Sequence, residues 1–193
     1  MQRTGILGGS FNPIHNGHIA IAEKICQNNL AEEVWLMVSP QNPLKKDQAL
    51  LDDQLRLQMA QLAVKEHPGL KVSDFEFHMP RPSYMFNTLE ELSVHYPDRE
   101  FTLIIGADNW NIFRKWYRWE DIIDRYSLIV YPRHGFPVNQ NELPQNVHYL
   151  SMELYPISST DIRQSIQEGK DMSEWLNASV EKLLVEYYKK NRQ

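Results

Sequence analysis

Cysteine is almost missing from this chain. Cys26 is the single thiol in 193 residues, so no intramolecular disulfide can form and a reducing compartment is expected. An excess of cations is missing too. Lys and Arg number 20 against 25 Asp and Glu, a formal net charge of -5, which argues against a general nucleic-acid binder. It leaves room for a small anion held by a few convergent cations. The opening MQRTGILGG lacks the apolar centre of a signal peptide, and no later apolar run approaches membrane-spanning length. The expectation is a cytoplasmic protein with no membrane partner. No internal repeat or low-complexity tract stands out either. Cys26 falls beside Ile21, Ala22 and Ile25 on an expected helix and reads as a buried, inert thiol rather than a nucleophile.

What is present suits one domain spanning 1–193 with a sizeable core: 42% apolar and 23% charged residues are ordinary proportions. Short apolar runs alternate with amphipathic stretches, the pattern of βαβ units in a doubly wound, mainly parallel sheet of the α/β class. Strands are expected at 3–7, 34–40 (VWLMVSP, stopped by Pro40), 72–77 (VSDFEF), 101–108 (FTLIIGAD), 127–133 and 147–152. Helices are expected at 17–28, at 52–67 with Asp52 or Asp53 as cap, after MPRPSY, and at 110–125. For 52–67 the expected buried stripe is Leu55, Met59, Leu62 and Ala63. A C-terminal helical part, 157–193, should hold helices near 159–168 and 173–190, with Gly169 ending the first.

In such a sheet ligands gather at the carboxyl ends of the strands, where GGSFNPIHNGH (8–18) falls between strand and helix. Gly8 and Gly9 allow close approach of backbone, Ser10 adds a hydroxyl, and the following helix points free N–H groups at an anion. His15 and His18, three apart, can face that same anion. The stretch lacks the lysine of a Walker A loop and the three glycines of a dinucleotide fingerprint. No further Cys or His cluster completes a zinc site, so no protein-bound metal is expected. A second candidate anion pocket is ISSTDIR (157–163), where Ser158 or Ser159 can cap a helix and Arg163 can reach back one turn later.

Together GGSFNPIHNGH and ISSTDIR resemble the signature elements of the HxGH-type nucleotidyltransferases, distant relatives of class I aminoacyl-tRNA synthetases. The chain is similar, more narrowly, to the bacterial nicotinate-mononucleotide adenylyltransferases of NAD biosynthesis. That likeness runs through SPQNP, RPSYMFNTL (81–89), GADNWNIFRKWY (106–117) and YPRHG (131–135). It implies a Rossmann-like fold and adenylyl transfer from ATP to nicotinate mononucleotide, giving deamido-NAD and pyrophosphate. ATP would meet Gly8, Gly9, Ser10, His15, His18, Gly106, Asp108, Arg133, Ser158, Ser159 and Arg163. His15, His18 and Arg163 would carry the catalysis. Asp108 is equally readable as a helix cap.

The acceptor would meet Asn42, Lys45, Tyr84, Met85 and Trp116, the last stacking on the pyridine ring. Trp110, Phe113, Trp116 and Tyr117 at helical spacing also fit plain core packing, and Lys45 with Lys46 fits a solvated pair. Met85 stands where the family pattern commonly has threonine, which leaves recognition to the main-chain N–H groups of Tyr84 and Met85. Such donors suit a carboxylate and favour nicotinate over nicotinamide. Magnesium is expected to arrive with the triphosphate. The rival acceptors are nicotinamide mononucleotide and phosphopantetheine, and a non-catalytic nucleotide sensor is a more distant reading. Oligomeric state is left open.

Overall fold

The structure is a computed structural model that describes residues 1–40 and 50–191. Six parallel strands run β1 (Gln2–Gly9), β2 (Glu33–Val38), β3 (Leu70–Ser73), β4 (Arg99–Gly106), β5 (Ser127–Tyr131) and β6 (Val147–Tyr149). Their order in the sheet is β3-β2-β1-β4-β5-β6. The helices are α1 (Asn16–Gln27), α2 (Asp53–Val64), α3 (Met85–His95), α4 (Ala107–Asn111), α5 (Trp119–Arg125), α6 (Ser159–Gln167) and α7 (Ala178–Lys190). The expected doubly wound α/β architecture is therefore the observed one. Among the described residues no helix is long and apolar enough to cross a membrane.

Every residue of β2 is buried, as a strand covered on both faces requires. Successive residues then serve opposite cores. Leu7, Leu36, Val38 and Ile104 pack on one side with Ile25 of α1, Met59 of α2, Ile162 of α6 and Leu184 of α7. Ile6, Met37, Leu103 and Ile105 pack on the other with Leu89 of α3 and Ile122 of α5. Chain direction reverses outward from β1, with β2 to one side and β4 to the other, so a crevice opens above their carboxyl ends.

Several expected boundaries move, each for a local reason. The strand set at 72–77 pairs with β2 only as far as Ser73 opposite Met37; Phe75–His78 then form a 3₁₀ turn that brings Glu76 inside. The helix set at 110–125 is three pieces: α4, a 3₁₀ turn at Phe113–Lys115, and α5, which starts after Arg118 at φ 54. That left-handed residue breaks the helical run; Phe113 is buried in the core, and Trp116 packs against that core from its margin. Strands 127–133 and 147–152 end at Tyr131 and Tyr149, and the last helix begins at Ala178 rather than 173. Asp52 caps α2 as expected, accepting from the N–H groups of Gln54 and Leu55. The buried face of that helix is Arg56, Met59, Ala60 and Ala63, however, and Leu55 and Leu62 lie at its margin. Gly169, at φ 78, closes α6 as the sequence implies. Cys26 is half-buried; burial first, then Glu23 and Glu33, push its thiol up, so it stays protonated.

Candidate active site

The loop between β1 and α1 is held by its own histidines. His15 is the extended residue that begins α1; its Nδ1 accepts from the Gly17 N–H at 3.2 Å. The His15 N–H in turn donates to His18 Nδ1 at 3.2 Å. This is a capping box built from two imidazoles in place of the usual Ser and Glu. Because both Nδ1 atoms accept, each ring carries its proton on Nε2 and offers one N–H donor. The rings lie 3.8 Å apart, and the Phe11 edge abuts His18 at 5.1 Å. Burial, and then the Arg133 cation, lower the His15 pKa to about 4. Burial, His15 and Arg133 press His18 well below its ordinary range. Both are neutral donors at neutral pH.

ISSTDIR docks directly on this loop. Ser158 caps α6 in a reciprocal box with Asp161. Ser159 Oγ donates to the Pro13 carbonyl at 2.8 Å, across 146 residues of chain. Arg163 Nη1 donates to the carbonyls of Asn12 at 2.6 Å and Ser159 at 3.1 Å, while Nη2 reaches Thr160 Oγ1. The two motifs thus meet in one cavity of ≈ 710 Å³, whose wall includes Gly8, Gly9, Ser10, His15, His18, Ser158, Ser159 and Arg163.

Asp108 and Arg133 face the same cavity, with Oδ1 and Nε 3.6 Å apart. Both atoms are buried and lack a hydrogen-bond partner among the described residues. They are charged, paired at a distance, and still have bonding capacity for a ligand. Gly106 makes this possible, because a Cβ there would collide with Asp108 Oδ1 and lie 3.1 Å from Arg133 Cγ. The capping role allowed for Asp108 is not realised: Gly106 precedes α4, and no side chain caps it.

A second, smaller cavity of ≈ 150 Å³ adjoins the first, sharing Gly8, Gly9 and Ser10 and adding Gly106, Tyr84, Met85 and Trp116. Trp116 is extended, and its Nε1 is buried with no partner among the described residues. The break in the expected helix is what turns this ring toward the cavity. Tyr84 opens α3 without a side-chain cap, and the first helical bond into that end is Thr88 N–H to the Tyr84 carbonyl. The leading N–H groups of α3, from Met85 onward, therefore have no helical acceptor. Asn42 and the pair Lys45 and Lys46 lie outside the described residues.

Residues 6–165 match the family described as cytidylyltransferase-like. A "Probable nicotinate-nucleotide adenylyltransferase" of Bacteroides thetaiotaomicron is 49% identical over 189 residues, covering 98% of this chain and 94% of that protein. One of the same description from Bacteroides fragilis is 48% identical, covering 95% and 92%. The chain belongs to the nicotinate-nucleotide adenylyltransferase family. A solved Plasmodium falciparum nicotinic acid mononucleotide adenylyltransferase complexed with NaAD shares the fold: TM-score 0.82 at 18% identity, covering 97% of this chain and 96% of that one.

Two buried charges at this adenylyltransferase site escaped the sequence reading. Glu76 lines the smaller cavity and accepts from Ser83 Oγ at 3.0 Å and Thr88 Oγ1 at 2.8 Å. Its inward turn depends on the 3₁₀ geometry, which alternation of apolar residues does not reveal. Arg56 is fully buried beneath the Gly-Ser loop. Its position, three, four and seven residues before Met59, Ala60 and Ala63, was a usable signal, since those small or flexible residues mark the packed face.

Proposed function

We propose that this chain transfers the adenylyl group of ATP to nicotinate mononucleotide, forming deamido-NAD and releasing pyrophosphate, as one nucleotidyltransferase unit. The observation that carries this reading is the meeting of the loop of two histidines and ISSTDIR in one cavity that opens onto a second, aromatic one. An oxygen of the acceptor's own phosphate attacks the α-phosphorus of ATP, and the bond to the bridging α–β oxygen breaks. No side-chain nucleophile is needed, so the protein positions two substrates and stabilises developing charge. His15 and His18 supply neutral Nε2–H donors, while Arg133 and Arg163 supply the positive charge. Ser158, Ser159 and the N-terminal turn of α6 receive the departing phosphates, and Asp108 accepts from a ribose hydroxyl.

The acceptor occupies the smaller cavity with its ring against Trp116 and its carboxylate toward the N–H groups of Tyr84 and Met85. The N–H donors at that end suit a carboxylate and favour nicotinate over nicotinamide, while the Glu76 carboxylate in the same cavity accepts from Ser83 and Thr88. Magnesium accompanies ATP in this reading and offsets phosphate charge. Magnesium favours phosphate oxygens and water over an all-protein cage, so it would be carried by the triphosphate. The reaction belongs to the cytoplasm, with small molecules as partners. Pyrophosphate release measured with ATP and each of nicotinate mononucleotide, nicotinamide mononucleotide and phosphopantetheine tests the assignment. Turnover with phosphopantetheine alone, or with none of the three, sinks it.

A further inference from the structure

Arg56 is 0% exposed and faces neither cavity, yet every one of its five N–H donors is used. Nε donates to the Leu51 carbonyl at 3.0 Å; Nη1 donates to the carbonyls of Ser10 at 2.5 Å and Ser39 at 2.8 Å. Nη2 donates to the Pro40 carbonyl at 3.2 Å and to Asp53 Oδ1 at 2.6 Å. The other oxygen of Asp53 accepts from Arg81 Nη2 at 2.9 Å. Four of the five acceptors are main-chain carbonyls, gathered from three separate stretches of chain. What this cation holds is backbone.

The Ser10 carbonyl is the telling one. A planar trans peptide that turns its oxygen toward Arg56, inside the protein, turns the N–H of Phe11 the opposite way. Phe11 itself sits at φ 44, a left-handed conformation that a non-glycine residue adopts only when its surroundings impose it. The next carbonyls of the loop are drawn off in the same manner, Asn12 by Arg163 and Pro13 by Ser159. A loop that cradles an anion must aim its N–H dipoles inward and its carbonyl dipoles elsewhere.

We propose that Arg56 is a positioning residue for adenylyl transfer: by taking the Ser10 carbonyl, it holds the Gly9–Phe11 backbone with its N–H groups toward the triphosphate. This rests on reading the Gly-Ser loop as the ATP cradle. Arg56→Met keeps roughly the packing volume and removes the donors; because it leaves Asp53 and four carbonyls without their partner it also lowers stability, so kinetics are read well below its melting temperature. The expected result is a folded enzyme whose kcat falls about 100-fold. The KM for ATP rises, and the KM for nicotinate mononucleotide stays within roughly threefold. Arg56→Lys, with three donors for five acceptors, is intermediate. Methylguanidinium added to Arg56→Ala restores part of the lost kcat, and methylammonium does not.

A wild-type kcat in folded Arg56→Met overturns the proposal. So does equal rescue by the two cations. Should Arg56→Met fail to fold, a wild-type kcat in Arg56→Lys overturns it instead, and the graded loss supports it. An inactive wild-type protein would count against the ATP reading, whereas an active one with indifferent variants counts against Arg56 alone.

Discussion

His15 and His18 line this site without charge. Each uses Nδ1 to hold the loop and keeps one Nε2–H for a ligand, and burial keeps both rings neutral at neutral pH. A neutral donor contributes most when the oxygen it meets gains charge, so His18→Ala should lower kcat by about 100-fold. The dissociation constant for ATP should change by less than about fivefold, and an equal loss in binding and turnover would falsify the transition-state role. Stability carries a second signature. The unfolded chain binds a proton at His15 near its ordinary 6.5 and the folded one only near about 4. Between those values the unfolded state holds more protons, so stability falls as pH drops from 6.5 toward 4. Urea unfolding at pH 7.5 and pH 5 should show the loss in the wild-type protein and a smaller one in His15→Asn, which retains an oxygen able to accept from Gly17. Trp116→Ala should raise the KM for nicotinate mononucleotide by tenfold or so while leaving the KM for ATP nearly alone. An unmoved acceptor KM rules out stacking.

At the scale of elements, the helix ends do the placing. The capping box of α1 orients both imidazoles, that of α6 sets Ser159 and Arg163 against the loop, and uncapped α3 keeps its N–H groups free. Ser158→Ala removes the cap of α6 and should destabilise the protein by ~1 kcal/mol. It should also weaken pyrophosphate binding, measured by calorimetry; a stability loss with unchanged pyrophosphate affinity would confine Ser158 to structure. The elements most legible in sequence were the buried strands and capped helices. FTLIIG, apolar but for Thr102, is buried throughout; Asp52 announces α2, and Gly169 closes α6. Where legibility failed, the cause was a local backbone choice. Arg118 in the left-handed region splits one expected helix, and a 3₁₀ turn replaces the end of one expected strand. Neither leaves a periodic trace.

For the molecule as a whole, the two faces of the sheet divide the work. One core carries α1, α6 and α7, and through them both the histidine loop and ISSTDIR; the other carries α3, α5 and the aromatic cavity wall. The C-terminal part is fastened to the histidine loop, since the Asn16 N–H donates to the Trp175 carbonyl at 2.9 Å. Leu184 on α7 is fully buried in the first core, away from either cavity. Leu184→Ala should cost ~3 kcal/mol of stability. At 20 °C its kcat should stay within about threefold of wild type, which separates loss of packing from loss of chemistry. A kcat that collapses while the protein remains folded would mean that α7 reaches the site.

Sequence alone determined the alternation of strand and helix, the family, and which residue types could grip a phosphate. Those properties reside in short stretches whose periodicity, caps and glycines act locally, and GGSFNPIHNGH and ISSTDIR carry them intact. Tertiary structure decided the rest. The tautomer and neutrality of His15 and His18, the long ion pair of Asp108 and Arg133 with its unused hydrogen-bonding atoms, and the burial of Glu76 and Arg56 depend on neighbours distant in the chain. Burial and dipole orientation are properties of what surrounds a group, and only the closed sheet brings those surroundings together.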